Sequence, residues 1–138
     1  MPAGPFRVRT SFRMLLVKTY LDKSLIHGIG LFAGERIPKG TVIWRRSPDI
    51  DILLDPAQLD RLHPEARAQI EKYTYLDRLL RKLVLCGDDA RFFNHSEAPN
   101  CHDFPDANGG TTVAARDIEP GEELTSDYAS FDASHRAV

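Results

Sequence analysis

Three short segments carry side chains whose types and spacing could bind a ligand or act on it. The first holds His27 beside Gly28, with Gly30 two positions on, and such glycines let the backbone approach a ligand without a Cβ in the way. The second places Asn94 next to His95, which together offer donors and acceptors suited to a polar ligand such as an adenine edge or an amino-acid head group. The third segment, residues 115–128, ends in Tyr128. Taken singly, each also fits a structural role: a turn, a half-buried histidine and an aromatic side chain at the core's edge.

Residues in the same region could in principle form a metal site. Four residues of types that bind metals, Cys86, His95, Cys101 and His102, fall within seventeen positions. Their spacing differs from zinc sites, which pair ligands two to four residues apart at both ends. We therefore expect no structural metal here.

Two further chemistries have weak support. Neither Ser96 nor Ser126 lies in the Gly-x-Ser-x-Gly context of a hydrolase nucleophile, which disfavours Ser/His/Asp catalysis. The carboxylates of Glu123 and Asp127 could form an acid and base pair, but side chains of this type are more often plain surface charges.

The elements that must position these residues are mostly short strands. Runs of β-branched and apolar residues bounded by Gly, Pro, Asp or Ser predict strands at 14–20, 31–33, 40–45, 81–86, 111–115 and 123–126. Asp55-Pro56 predicts a helix start, with leucines at helical spacing until Pro64, and a second helical stretch runs from 65 to about 73. The pattern predicts a β-rich α+β fold with a helical insert at about 55–75.

Length and composition indicate one soluble globular domain. The chain has 138 residues, of which 42% are hydrophobic and 28% charged. No apolar run approaches the roughly 18 residues of a membrane span, and the one at 14–17 is too short for a signal-peptide core. We therefore expect neither membrane contact nor export. The two cysteines are too few for a disulfide framework, and we expect both to be reduced.

Charge is unevenly distributed along the chain. Residues 1–85 carry 15 Lys and Arg and 9 Asp and Glu, whereas residues 86–138 carry 3 and 11. Such a chain is poorly suited to wrap nucleic acid, and its acidic half could attract a basic peptide. If the two halves interleave in space, this dipole largely cancels.

Together and in this order, the three segments resemble the signature of the SET domain, a lysine methyltransferase fold that uses S-adenosylmethionine. The resemblance rests on residues 28–33, on 91–96 with Pro99-Asn100, and on 115–128. It spans roughly residues 13–131, which leaves a flexible arm at 1–12 and a tail at 132–138. It implies short curved sheets with a knot-like C-terminal core, in which the Asn94-His95 and Tyr128 segments thread together.

The resemblance also implies a role for individual residues. Tyr128 would be the catalytic tyrosine, where the cofactor pocket meets a narrow lysine channel. The cofactor-binding residues implied are His27, Gly28, Ile29, Gly30, Arg91, Asn94 and His95, with Arg91 supporting the loop. The channel residues implied are Tyr75, Ser126 and Phe131. Tyr73 is a further channel candidate that core packing explains equally well.

Several positions depart from the family's pattern. Ile29 stands where many members have Trp or Tyr, and Glu97 where many have Cys. No cysteine-rich segment follows Tyr128, so Phe131 and its neighbours, a partner subunit in a homodimer, or the substrate must complete the lysine channel. Ser126 stands where the family often carries Phe or Tyr that limits methyl number. Its small side chain predicts a channel that tolerates di- or trimethyl-lysine.

The implied activity is transfer of a methyl group from S-adenosylmethionine to the side-chain amine of lysine in a protein or peptide. The alternative is a non-catalytic module that binds a basic peptide or the cofactor. No direct contact with nucleic acid is expected. A bacterial-type member would act in the cytoplasm, whereas one that targets chromatin would be nuclear or secreted into a host.

Overall fold

The computed structural model describes residues 12–133, so most of the expected arm at 1–12 and the tail beyond 133 lie outside the described residues. Within this range the strands are β1 (Met14–Leu15), β2 (Thr19–Lys23), β3 (Ile29–Ala33), β4 (Val42–Arg45), β5 (Ile52–Leu54), β6 (Thr74–Leu76), β7 (Leu83–Leu85), β8 (Asn94–His95), β9 (Cys101–Phe104), β10 (Thr111–Ala114) and β11 (Thr125–Ser126). The α-helix is α1 (Pro64–Tyr73), and 3-10 helices span Pro56–Arg61, Asp89–Phe92 and Tyr128–Ser130.

The strands form four small sheets. Strands β1, β4, β10 and β9 form an antiparallel sheet in that order. Strands β2 and β3 form a hairpin, and β7 lies between β5 and β6. Strands β8 and β11 form a parallel pair. The β-rich α+β class is therefore confirmed.

One hydrophobic core joins these sheets. Fully buried side chains come from the hairpin (Leu31), the four-stranded sheet (Ile43), strand β7 (Val84) and the C-terminal region (Ile118 and Leu124). Burying a side chain of this size contributes about 1.5–3 kcal/mol. Strands of two to five residues are too short to be stable alone, so this shared core holds them in place.

The run at 14–20 forms two strands, not the single one predicted. β1 pairs with β4, and the Leu16 N–H still donates to the Ile43 carbonyl oxygen at 2.9 Å. The Lys18 N–H then donates to the Glu35 carboxylate at 2.8 Å, and the chain enters the β2–β3 hairpin. An apolar run shows that a segment is extended, but not that it changes sheets midway.

The insert is less helical than predicted. Residues 56–61 form a 3-10 helix, whereas α1 matches the second predicted helical stretch closely. β7 is shorter than the strand predicted at 81–86 because Arg81 adopts a φ of 55° in the turn before it. Strands β5, β6, β8 and β9 were not predicted, since they have only two to four residues.

Asn100 fixes the C-terminal segment before it reaches the site. Its Nδ2 donates to the Glu123 carbonyl oxygen at 2.8 Å, and its Oδ1 accepts from the Thr125 N–H at 2.9 Å. Its own N–H donates to Thr125 Oγ1 at 3.1 Å. The side chain is almost fully buried, so these bonds are shielded from water. Asn100 thereby sets where β11 begins.

Replacing Asn100 with Ala should lower the free energy of unfolding by about 2–4 kcal/mol, because two backbone groups lose buried partners. Urea denaturation monitored by circular dichroism measures this change. The matched control is Asn108→Ala, at an exposed turn position, which should change stability by less than about 0.5 kcal/mol. Equal effects of the two substitutions would contradict this role of Asn100.

Candidate active site

The parallel pair of β8 and β11 brings together two of the three segments singled out in the sequence. Asn94 lies opposite Thr125, and His95 lies opposite Ser126. The Ser96 N–H continues the ladder by donating to the Ser126 carbonyl oxygen at 3.0 Å. Successive side chains of a strand point to opposite faces, so Asn94 and His95 reach different neighbours.

The Asn94 side chain binds the glycine turn. Its Nδ2 donates to the carbonyl oxygens of His27 and Ile29 at 3.1 and 3.3 Å, and to Glu123 Oε2 at 2.8 Å. Asn94 is only 9% exposed, so the amide is held within the protein while the turn lies on the surface. The first and second segments are therefore joined by one amide group.

Glu123 is a half-buried anchor of this turn and not a plain surface charge. Ser24 Oγ donates to its carboxylate at 2.8 Å, opposite the contact from Asn94. The carboxylate lies so close to Gly30 that a Cβ built there would fall 2.3 Å from Glu123 Oε2. A carboxylate that accepts from both an amide and a hydroxyl is fixed by these donors, which residue type alone could not show.

The His95 side chain contacts the third segment. Its Nδ1 accepts from the Tyr128 N–H at 3.0 Å, and the two rings lie 5.3 Å apart at 55°. Asp127 begins the 3-10 helix that carries the tyrosine, where its Oδ1 accepts from the Ala129 N–H at 3.0 Å. Asp127 thus has a capping role rather than that of a free surface charge.

The Tyr128 hydroxyl is held in a half-buried setting. It donates to the Phe93 carbonyl oxygen, and its ring meets that of Phe131 edge-on at 5.5 Å. Burial raises the pKa of Tyr128 to about 12, and the nearby Asp132 and Asp103 carboxylates add to this shift. The phenol is therefore neutral at any physiological pH.

A cavity of about 100 Å³ opens beside this tyrosine. The three channel residues implied by the resemblance, Tyr75, Ser126 and Phe131, all line it together with Tyr128. The rings of Tyr75 and Phe131 pack edge-on with centroids 4.9 Å apart. Tyr73 lines the cavity as well. The structure therefore brings the predicted catalytic and channel residues to one place.

Arg91 supports the loop that precedes β8. Its guanidinium donates to the Cys86 carbonyl oxygen at 2.8 Å and lies 5.2 Å from the centroid of the Tyr73 ring. It thereby ties the 3-10 helix before β8 to the end of the insert. Its contacts fit the supporting role that the resemblance implies.

The cysteines do not form a metal centre with the histidines. Among residues 12–133, no group of three or more His, Cys, Asp or Glu side chains is arranged to hold a metal ion. Cys86 and Cys101 are free and buried, and burial raises the pKa of both thiols. Burial therefore disfavours the thiolate form of both cysteines.

In the described range, no helix combines the length and apolar character needed to cross a bilayer.

The neutral state of Tyr128 can be tested by NMR on protein carrying ¹³Cζ-labelled tyrosine. Because desolvation disfavours the phenolate, the Tyr128 signal should keep its neutral position at pH 10.5. N-acetyltyrosinamide in the same tube should be mostly ionised there. Tyr128→Phe assigns the signal, and a midpoint near pH 10 would contradict the buried setting.

The comparisons with known proteins agree with this geometry. The SET domain family matches residues 28–129. Histone-lysine N-methyltransferase 2D of Homo sapiens is 29% identical over 126 residues, which are 88% of this chain and 2% of that protein. Histone-lysine N-methyltransferase trithorax of Drosophila virilis and ATX2 of Arabidopsis thaliana are each 30% identical over 122 residues. These cover 82% and 83% of this chain, and 3% and 11% of those proteins, so the chain spans only a small part of their length.

Solved structures give the same result at the level of the fold. The crystal structure of a proposed histone methyltransferase from Plasmodium falciparum has a TM-score of 0.58 and 22% identity. The match covers 83% of this chain and 95% of that one. The SET domain family matches most of the chain, and the pairing of β8 and β11 joins two of the segments that carry the match. This protein therefore belongs to the SET domain family.

Proposed function

We propose that this chain transfers a methyl group from S-adenosylmethionine to the side-chain amine of lysine in a protein substrate. The observation that carries the proposal is the two-residue strand β8. Its first side chain holds the exposed glycine turn, and its second contacts the segment of Tyr128. A cofactor seated on the turn and a lysine in the cavity would thus be positioned by adjacent residues.

The glycine turn fits a cofactor of this kind. A Cβ at Gly28 would have no neighbour within 4 Å, so there is open space beside the backbone. Gly28 has a φ of 49°, and Ile29 beside it is 53% exposed. The Glu123 carboxylate lies directly behind the turn, and negative charge there would stabilise a positively charged sulfonium or ammonium group. His27, Gly28, Ile29, Gly30, Asn94 and His95 would hold the cofactor.

When bound, S-adenosylmethionine supplies an activated methyl group, and the protein's contribution is alignment. Tyr128 is suited to this task because its hydroxyl is neutral and fixed. It cannot act as a strong base, since burial raises its pKa to about 12. Its oxygen can still orient an amine beside it while its O–H donates to the Phe93 carbonyl oxygen.

The cavity would help the lysine to react as a neutral amine. In water, lysine has a pKa of about 10.4 and is almost fully protonated at pH 7. The rings of Tyr75, Phe93 and Phe131 line the cavity and remove water from the amine, which disfavours its charged form, although the carboxylates in the same lining oppose this. The adjacent sulfonium would lower the pKa further.

The substrate class follows from the relatives and from charge. Three similar proteins are named histone-lysine N-methyltransferases. The acidic excess of residues 86–138 would favour the approach of a lysine-rich segment. We therefore propose a basic protein as substrate, with histones the first to test.

Tyr128→Phe should reduce transfer of labelled methyl from S-adenosylmethionine to a mixture of basic proteins by roughly 100-fold or more, because the hydroxyl that orients the amine is lost. Calorimetry should show that cofactor binding survives. The matched control is Tyr20→Phe on the β2–β3 hairpin, which should keep activity within about twofold. Cofactor binding without transfer by the unaltered protein would overturn the enzymatic proposal and favour a binding module.

Ser126 should set the number of methyl groups. Its side chain is 1% exposed and lines the cavity, where a small residue leaves room for a methylated amine. Mass spectrometry of the product at full turnover should show di- or trimethyl-lysine. Ser126→Thr should shift the product toward fewer methyl groups, because one added methyl fills part of that space. A product limited to monomethyl-lysine in the unaltered protein would contradict this role.

A further inference from the structure

Asp103 is a carboxylate built into the wall of the same cavity. It lies on β9 opposite Thr112 of β10, and it lines the cavity with Ser126 and Tyr128. Its Oδ1 accepts from Thr112 Oγ1 at 2.6 Å. Its Oδ2 is shielded from solvent and has no hydrogen-bond partner within residues 12–133. Thr112 therefore stabilises one oxygen of this carboxylate directly, whereas the Ser126 hydroxyl nearby lowers the pKa of the group without a hydrogen bond to the other oxygen.

The other two carboxylates that line the cavity, Asp77 and Asp132, accept hydrogen bonds from backbone N–H groups. Asp77 Oδ1 accepts from the N–H groups of Leu79 and Leu80 at 2.9 and 2.8 Å. Asp132 Oδ1 accepts from the Leu76 N–H at 3.1 Å. Backbone amides thus stabilise both of these charges and give them structural roles at the C-terminal end of β6.

The cations that line the cavity are occupied elsewhere. Arg91 donates to the Cys86 carbonyl oxygen, and the Lys72 ammonium lies 5.3 Å from the centroid of the Tyr73 ring. None of the ion pairs found in the described part of the chain includes Asp103. The neighbouring His102 lowers the pKa of Asp103, but no Lys, Arg or His of that part of the chain forms an ion pair with it.

An incompletely compensated carboxylate in such a place is costly to the folded protein. Burial disfavours its charged form and raises the pKa of Asp103 to about 6, although the Thr112 and Ser126 hydroxyls partly oppose this. The group is still mostly ionised at pH 8. A cation entering the cavity would relieve part of that cost, so the site favours a positively charged guest over a neutral one.

We propose that Asp103 is a substrate-binding residue that supplies the counter-charge for the ammonium group of the incoming lysine. This inference rests on the proposed function of the cavity. It adds a negative charge that selects a positively charged side chain. The aromatic rings accept the aliphatic chain, and Asp103 compensates the head group for its lost water. Because a carboxylate favours the protonated amine, Asp103 contributes to capture of the lysine and not to its deprotonation.

The direct test uses minimal mimics of the lysine side chain. Butylammonium carries the charged head, whereas 1-butanol has a similar shape without the charge. Binding of each to the full chain at pH 8 is measured by NMR titration. The unaltered protein should prefer butylammonium, and Asp103→Asn should weaken its binding by about tenfold while leaving 1-butanol unchanged.

Controls separate this role from a structural one. Asp103→Asn keeps the shape of the side chain and an oxygen for Thr112, so thermal unfolding at pH 8 should show no loss of stability. Asp60→Asn removes an equal charge from an exposed position paired with Arg67, and it should leave both affinities unchanged. Equal loss of both probes in Asp103→Asn, or no preference for the cation in the unaltered protein, would overturn the proposal.

The enzyme assay provides a second readout. With a lysine peptide, Asp103→Asn should raise KM by about tenfold with little change in kcat. A fall in kcat alone would contradict a role in capture. If the unaltered protein transfers no methyl group, the proposed activity fails, but the butylammonium test still decides the role of Asp103.

Discussion

The site depends on one short piece of parallel pairing between β8 and β11. Only two pairs of residues face each other there, Asn94 with Thr125 and His95 with Ser126. Since neighbouring side chains on a strand point apart, this pairing directs an amide to the glycine turn and an imidazole to the tyrosine segment. A shift of one residue would exchange these directions and separate the two halves of the site.

Polar groups around this pair are arranged in two contrasting ways. Asn94, Asn100 and Glu123 each make several hydrogen bonds within the protein, and such satisfied networks fix one geometry. Asp103 and Tyr128 instead border the cavity, and burial raises the pKa of each. The first set fixes the backbone of the site, and the second set lines the cavity beside it.

Much of this arrangement could be predicted from the sequence, and its limits have physical causes. The SET resemblance, the β-rich class and helix α1 follow from ordered motifs and from local periodicity. The predicted strand at 14–20 failed because the change of sheet depends on distant partners. Glu123 and Asp103 were not recognised because their surroundings come from segments far along the chain. A carboxylate is ordinary by type, and only its neighbours make it an anchor or a counter-charge.

The long sequence separation of the contacts that build the site has a consequence for its assembly. Asn94 contacts a turn 67 residues before it, and His95 contacts a tyrosine 33 residues after it. Contacts of this kind form slowly because a long loop must close first. During synthesis, the hairpin and the insert leave the ribosome before residues 125–128 exist as folded chain. The site is therefore incomplete until β11 has emerged and paired with β8, however early the hairpin folds.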